Sequence, residues 1–350
     1  MSMNVRPNSR LRVDCENTAP QHFLKTTFMK TCVAPWLPIL SIAFLSLPAL
    51  AAESSFPSKP VRIVVPAVPG GGTDILARLL SPRLQALFGQ SIVVENRAGA
   101  ATNIGTEYVA RSAPDGHTVL IATTPHAINP SLFRKLPFDP IRDFTFISQL
   151  GLTTTVLVVH PSLPVKNVKE LIALAKARPG QLTAGTSAGN SQFLAVEMLK
   201  TMGGIDVLNI PYKGAGAALN DTVAGHVQFQ VNTLLAAMPF IQSGRLRAIA
   251  VCGTKRSASM PELPTVGETL KGFESSGWYA LLGPAGISRD IALKLQDAFA
   301  KALHTPEITK RLADQGVEVV ASTPDELAKR MPLEIAKWAK VVKASGLQPE

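Results

Sequence analysis

Three cysteines in 350 residues, Cys15, Cys32 and Cys252, are too few for a disulfide framework. Only Cys252 lies beyond residue 51, so the chain after that point has no intrachain disulfide and depends on packed cores for its stability. No lipobox-like setting surrounds Cys15 or Cys32, which argues against a lipid anchor. Histidines are sparse too: the five beyond residue 51, His117, His126, His160, His226 and His304, show no H-x-x-x-H spacing or cluster, and no metal or cofactor is expected. The glycine-rich stretch Gly70-Gly71-Gly72-Thr73-Asp74 lacks the Gly-Lys-Ser/Thr ending of a P-loop, and Lys213-Gly214 does not supply one. Repeats and low-complexity segments are absent, which disfavours a structural or adhesion array. Charged residues make up 17% against 46% hydrophobic ones, the balance of a globular protein with a full core.

What is present begins with a change of character at Met29. Residues 1–28 are polar, mixed in charge and without periodicity, and are expected to be a leader foreign to the fold, with the true start at Met29. Lys30 then precedes an apolar run from Val33 to Leu50, and Ala49-Leu50-Ala51 is a small-residue cleavage pattern. Residues 29–51 therefore read as a secretory signal peptide, with export as the outcome and Ala52 as the mature start. Pro35, Pro38 and Pro48 weaken the alternative of a membrane anchor. Cleavage removes five basic residues (Arg6, Arg10, Arg12, Lys25, Lys30) and two acidic ones (Asp14, Glu16), so the formal charge falls from +10 to +7. That mild excess suits anionic solutes, and no nucleic-acid partner is expected.

The remaining chain alternates short apolar runs with helical patterns. Val61 to Val65 leads through Pro66-Ala67-Val68-Pro69 and the glycines into a helix with Ile75, Leu76, Leu79, Leu80 and Leu84 on one face. A glycine turn at a helix start presents unpaired N–H groups and the positive end of the helix dipole, so it is an anion seat; capping by Thr73 or Asp74 is its structural reading. A second turn of this kind, Ala184 to Ser191, adds Thr186, Ser187, Asn190 and Ser191. Pro211-Tyr212-Lys213-Gly214 opens a third helix, a strand ends at Asn232 and Thr233, and Thr123, Thr124 and His126 follow another strand. His126 reads as a loop residue and not as a contact. Gly99 to Gly105 does not have dinucleotide spacing. Thr153 to His160 reads as one buried strand and Trp278 to Leu282 as another, and these two are expected to cross between domains.

The alternation implies an α/β fold with two lobes, each a mainly parallel sheet flanked by helices, and a ligand cleft between them. Lobe 1 is expected to comprise residues 52–155 and 281–350, and lobe 2 residues 156–280. Gly185-Thr186-Ser187-Ala188-Gly189 also fits the G-x-S-x-G nucleophile elbow, and a secreted serine hydrolase would use Ser187 with Asp206 or Asp221 and His226. Against it, no His-Gly-Gly-type oxyanion segment precedes the serine, and His226 follows it by only 39 residues.

Five ordered segments, FPSKPVRIVVPAVPGGGTD, VVENRAGAATNIGTEYVARSAPDGHTVLIAT, INPSLFRKLPFDPIRDF, IPYKGAGAALNDTVAGHV and GRLRAIAVCGTKRSASMPELPTVGE, together resemble the Bug-type receptors of tripartite tricarboxylate transporters. The resemblance implies a periplasmic solute-binding protein of the type II kind, not an enzyme, closing two lobes on a small organic carboxylate. It implies ligand contacts from Pro69, Gly70, Gly71, Gly72, Thr73 and Asp74 on one side and from Thr186, Ser187, Asn190 and Ser191 on the other. Tyr212, Lys213 and Gly214 would border the pocket, with Thr123 and Asn232 at its strand ends. The implied partners are the membrane subunits of a tripartite transporter or a sensor kinase, engaged by a monomer. Two positions depart from the pattern: Gln192-Phe193 stands where His-Leu is common, and Asn232 where an acidic residue often stands.

Overall fold

The computed structural model describes residues 56–187, 191–344 and Pro349. The expected leader and signal peptide, and Asn190 of the second glycine turn, lie outside the described residues. The first elements are β1 (Val61–Val65), α1 (Gly72–Phe88), β2 (Ile92–Asn96), α2 (Asn103–Ala110), β3 (Thr118–Thr123), α3 (Pro125–Leu132) and β4 (Phe144–Thr153). There follow β5 (Thr155–Val159), α4 (Val168–Ala177), β6 (Thr183–Thr186), α5 (Ser191–Gly203), β7 (Leu208–Pro211), α6 (Ala215–Ala224), β8 (Phe229–Thr233), α7 (Leu234–Gln242) and β9 (Arg247–Val251). The chain closes with β10 (Gly277–Pro284), α8 (Arg289–Leu303), α9 (Pro306–Asp314), β11 (Val317–Val319) and α10 (Pro324–Ala344).

These strands form two sheets, ordered β11-β4-β10-β3-β1-β2 and β7-β6-β8-β5-β9. The central strands of both sheets are buried on both faces, because their alternate residues enter different cores. Ile63, Ile121 and Leu281 pack on Leu76 and Leu80 of α1 and Leu295 and Phe299 of α8. Their neighbours Val64, Leu120 and Leu282 face Ile128 of α3 and Leu327, Met331 and Trp338 of α10. In the second sheet Leu157 and Val231 face Leu171 and Leu199, while Val156 and Val158 face Leu219 and Leu234. The helix caps follow the sequence: the Asn167 side chain accepts from the Glu170 N–H, Ser288 from Ile291, and Thr323 and Glu326 bond reciprocally.

The two-lobed α/β architecture is as expected, but the sheets are mixed instead of mainly parallel. β1 pairs in parallel with β2 and β3, and β6 with β7 and β8. β10 runs antiparallel to β3 and β4, and β5 antiparallel to β8 and β9. The reason lies in the crossings. A strand that arrives at the cleft in one lobe must start from the cleft in the next, so it runs against neighbours whose carboxyl ends face the cleft. The expected single strand Thr153 to His160 is accordingly divided at Thr154: β4 ends in the first sheet, β5 starts in the second, and Thr154 is pinned by Gly316 and Leu234. The return occurs before Gly277, since β10 belongs to the first sheet over its full length.

The core assignments give a stability prediction. Phe299→Ala, at a side chain with 0% exposure, is expected to lower the unfolding free energy by about 3–5 kcal/mol. Leu333→Ala, at a residue 71% exposed on α10, should stay within ~0.5 kcal/mol of the parent. Urea denaturation of the two variants checks both.

Candidate functional site

The crossing strands bring strand ends of both lobes that carry small and polar residues to one cleft. The first lobe supplies Pro66 to Val68 and Gly71 to Thr73 after β1, Ala100 to Thr102 after β2, Thr123 to Pro125 after β3, Thr153 of β4, and Gly277 to Tyr279 of β10. The second lobe supplies Ser187 after β6, Ser191 and Gln192 of α5, Tyr212 to Gly216 after β7, and Asn232 and Thr233 of β8. Together they enclose a cavity of about 330 Å³, of the size that holds a small ligand.

At its centre is the amino end of α1. The first helical bond runs from the Ile75 N–H to the Gly71 carbonyl (3.0 Å), so the N–H groups of Gly72, Thr73 and Asp74 have no partner within the helix. Gly72 is required here by space. A Cβ on it would stand 2.5 Å from the Tyr279 hydroxyl and 2.6 Å from Thr233 Oγ1. Those two hydroxyls are buried and lie close to one another, with Thr153 also close to Tyr279, and neither makes a hydrogen bond of good geometry. Burial pushes the Tyr279 phenol up to about 12, so it is a neutral donor at any physiological pH. The lobes meet at the same turn. A Cβ on Gly216, at the start of α6, would stand 3.2 Å from both the Gly71 nitrogen and the Pro69 carbonyl.

Asp74 does not line the cavity. Its Oδ2 accepts from the Gly70 N–H (3.0 Å), and its Oδ1 accepts from Arg78 Nε (2.9 Å) and Asn96 Nδ2 (3.0 Å). Burial opposes its ionisation, but these hydrogen bonds and the Arg78 charge outweigh that and hold the carboxyl below its ordinary range. Asp74 is thus a brace for the turn, which lets Gly70 adopt φ +83° at the loop tip.

Of the residues named from sequence, the structure gathers Gly71, Gly72, Thr73, Thr123, Ser187, Ser191, Tyr212, Lys213, Gly214 and Asn232 around the cavity. Pro69 and Gly70 are exposed at the tip, and Thr186 is buried in the strand with its carbonyl accepting from the Tyr212 N–H (2.8 Å). His126 belongs to α3, where it is buried with Nε2 on the Pro140 carbonyl (2.8 Å); burial pushes it down to about 4, so it is neutral. The sequence reading missed Ala100 to Thr102, three consecutive residues at positive φ, whose loop is held by Asn129 Nδ2 on the Ala101 carbonyl (2.8 Å). It also missed Thr153, Trp278 and Tyr279, which it assigned to crossing strands, while Thr233 was named with Asn232 as a strand end and lines the cavity. In a strand that starts at the cleft, as β10 does, it is the first residues that face it, and for Trp278 and Tyr279 that direction was the available signal.

The hydrolase arrangement is not assembled. Ala184 is in register with Phe229 on parallel strands. Ser187 lies three residues beyond that level and His226 three before it, which separates them by roughly 20 Å along the strands. His226 instead lies 3.5 Å from Asp221, whose other oxygen accepts from the Tyr212 hydroxyl at 2.7 Å.

A family model described as the tripartite tricarboxylate transporter family receptor matches residues 76–347. Protein BugT of Bordetella pertussis is 36% identical over 309 residues, covering 87% of this chain and 95% of its own length. The R. palustris protein Rpa4515, solved with adipate, superposes with a TM-score of 0.81 at 36% identity, covering 84% of this chain and 100% of that one. MatC from Rhodopseudomonas palustris, solved with malate, does so with a TM-score of 0.78 at 30% identity, covering 82% and 100%.

Two predictions follow from the turn. Gly72→Ala is expected to cost about 1–3 kcal/mol of stability through overpacking on rigid hydroxyls. Gly71→Ala next to it, where the nearest atom to a Cβ is 3.8 Å away, should be within ~0.5 kcal/mol because the lost N-cap preference offsets the chain-entropy gain. Chemical denaturation distinguishes the two. Because the Asp74 carboxyl titrates below its ordinary value of about 3.9, its stabilising effect is complete above that pH and is lost as pH falls through the lowered folded-state value. The parent should therefore be more stable than Asp74→Asn at pH 6, and the difference should shrink towards pH 3.

Proposed function

The chain belongs to the family of tripartite tricarboxylate transporter receptors, and from that premise we propose that it is a periplasmic solute-binding protein capturing a small carboxylate-bearing solute between its lobes. The observation that carries the reading is the amino end of α1, with its free N–H groups, no side chain at Gly72, and beside it the buried Tyr279 and Thr233 hydroxyls, which make no hydrogen bond of good geometry. These groups are preorganised donors. Each charge-assisted bond they make to a carboxylate contributes roughly 1.5–3 kcal/mol, and several acting together offset the dehydration of the anion. Two similar proteins solved with adipate and with malate, both dicarboxylates, support the same class of solute.

Thr233 comes from the second lobe and Tyr279 from the first, so a seated carboxylate touches both and favours their approach. We read the protein as a monomeric carrier that performs capture and no chemistry, exported by a signal peptide cleaved after Ala51. The closed form is then the species recognised by membrane subunits of a transporter or by a sensor kinase.

Thermal unfolding against mono-, di- and tricarboxylates tests the reading. A solute at 100 times its dissociation constant adds about 2.7 kcal/mol, a shift of a few degrees. The shift is expected for at least one carboxylate and should be reduced in Ser187→Ala and Thr233→Val. Solution scattering should show the radius of gyration falling on binding. No shift with any carboxylate would overturn the reading.

A further inference from the structure

Four side chains belong to one lobe by chain position and pack in the core of the other. Leu194 of α5, 1% exposed, lies in the core of Ile128, Trp278, Leu327 and Met331, whose other buried members among the described residues all come from the first lobe. Phe193 beside it is half-buried and packs against the same core. Leu235 of α7, also 1% exposed, lies in the first-lobe core with Leu76, Leu80 and Phe299. In the reverse direction Ile75 of α1 packs against the second-lobe core of Val156, Leu219 and Leu234 as well as against its own. The neighbours of these residues keep to their own lobe: Ala195, Val196 and Leu199 on α5, and Leu234, Ala236 and Met238 on α7.

None of the four lines the cavity, but each follows a residue that does. Phe193 and Leu194 come after Gln192, Ile75 after Thr73, and Leu235 after Thr233. Separating the lobes would return these apolar groups to water, and joining them removes the groups from it, so the packing favours the joined arrangement with or without a solute. The anion seat favours it only when a solute bridges the lobes.

We propose that Phe193 and Leu194 on α5, with Ile75 and Leu235 on α1 and α7, are apolar pins that set how often the lobes close, without touching the solute. On the receptor reading above, the pins scale the affinity for every solute by one factor, since apparent affinity is intrinsic affinity multiplied by the closed fraction.

The main test needs no solute. A Cβ at Gly214 would stand 3.7 Å from the Cβ of Val68 across the cleft, a separation that suits a disulfide, so Val68→Cys with Gly214→Cys reports closure by cross-linking. Cys252 is buried and does not compete. The purified protein carrying this pair is freed of solute by unfolding and refolding and oxidised with diamide, and peptide mass mapping follows the 68–214 link. The link is expected to form in the parent, about tenfold more slowly in Phe193→Ala and in Ile75→Ala, and within about twofold of the parent rate in Phe193→Leu, which keeps an apolar pin. Melting transitions establish that each variant is folded, and the two alanine variants are independent, so loss of folding in one leaves the other to decide. An unchanged rate in a folded alanine variant, or no link in the parent, overturns the proposal. A change in the ratio of affinities among whichever carboxylates bind to Phe193→Ala also overturns it, because a pin acts on all of them alike. Failure of every carboxylate to bind overturns the receptor reading instead, and the cross-linking result stands without it.

Discussion

A strand that leaves one sheet at the cleft has to enter the other sheet at the cleft, and this constraint on direction organises the molecule. β4 passes into β5 with Thr154 alone between them, and β10 brings the chain back. Both β5 and β10 therefore run against their neighbours. With those two reversed, the carboxyl ends of β1, β3, β6, β7 and β8 all face one space, and the amino end of β10 faces it too. The loops that hold glycines and hydroxyls are collected by topology before any of them meets a solute.

Within that space the closest constraint is at Gly72. The residue sits where a methyl group would strike the hydroxyls of Tyr279 and Thr233, so the helix end, the first-lobe strand and the second-lobe strand converge on one residue. The turn is stiffened from behind by Asp74, which ties Gly70, Arg78 and Asn96 into one network. Stiffening matters because donors fixed in place before the solute arrives lose little entropy when it binds.

Much of this is legible in the residues, and the limits are physical. The glycine turn before Ile75 and Leu76, the hydroxyls around Ser187 and the Tyr212 to Gly214 segment are local patterns, and the structure puts residues of each at the cavity. The role of Asp74 was not legible, because capping, ligand contact and bracing all place an acid at the same position in the first turn. Trp278 and Tyr279 were hidden because an apolar run reads alike in either direction, and only the pairing of β10 with β3 shows which end is at the cleft. Ala100 to Thr102 were hidden for the opposite reason. Nothing in Ala-Ala-Thr announces positive φ angles, which here are imposed by the loop's tie to Asn129 and by the start of α2. The G-x-S-x-G pattern shows the converse error: five residues match an elbow while the register of β6 and β8 keeps the histidine at the far end of the sheet.

The account therefore reduces to a claim about one place, that the solute's carboxylate is seated on the N–H groups at the start of α1. The most direct measurement is a crystal structure of the protein with whichever carboxylate stabilises it. The account predicts carboxylate oxygens within hydrogen-bond distance of the Gly72 or Thr73 nitrogen and of the Tyr279 or Thr233 hydroxyl. A carboxylate seated elsewhere in the cleft, making no bond to those nitrogens or hydroxyls, would contradict it.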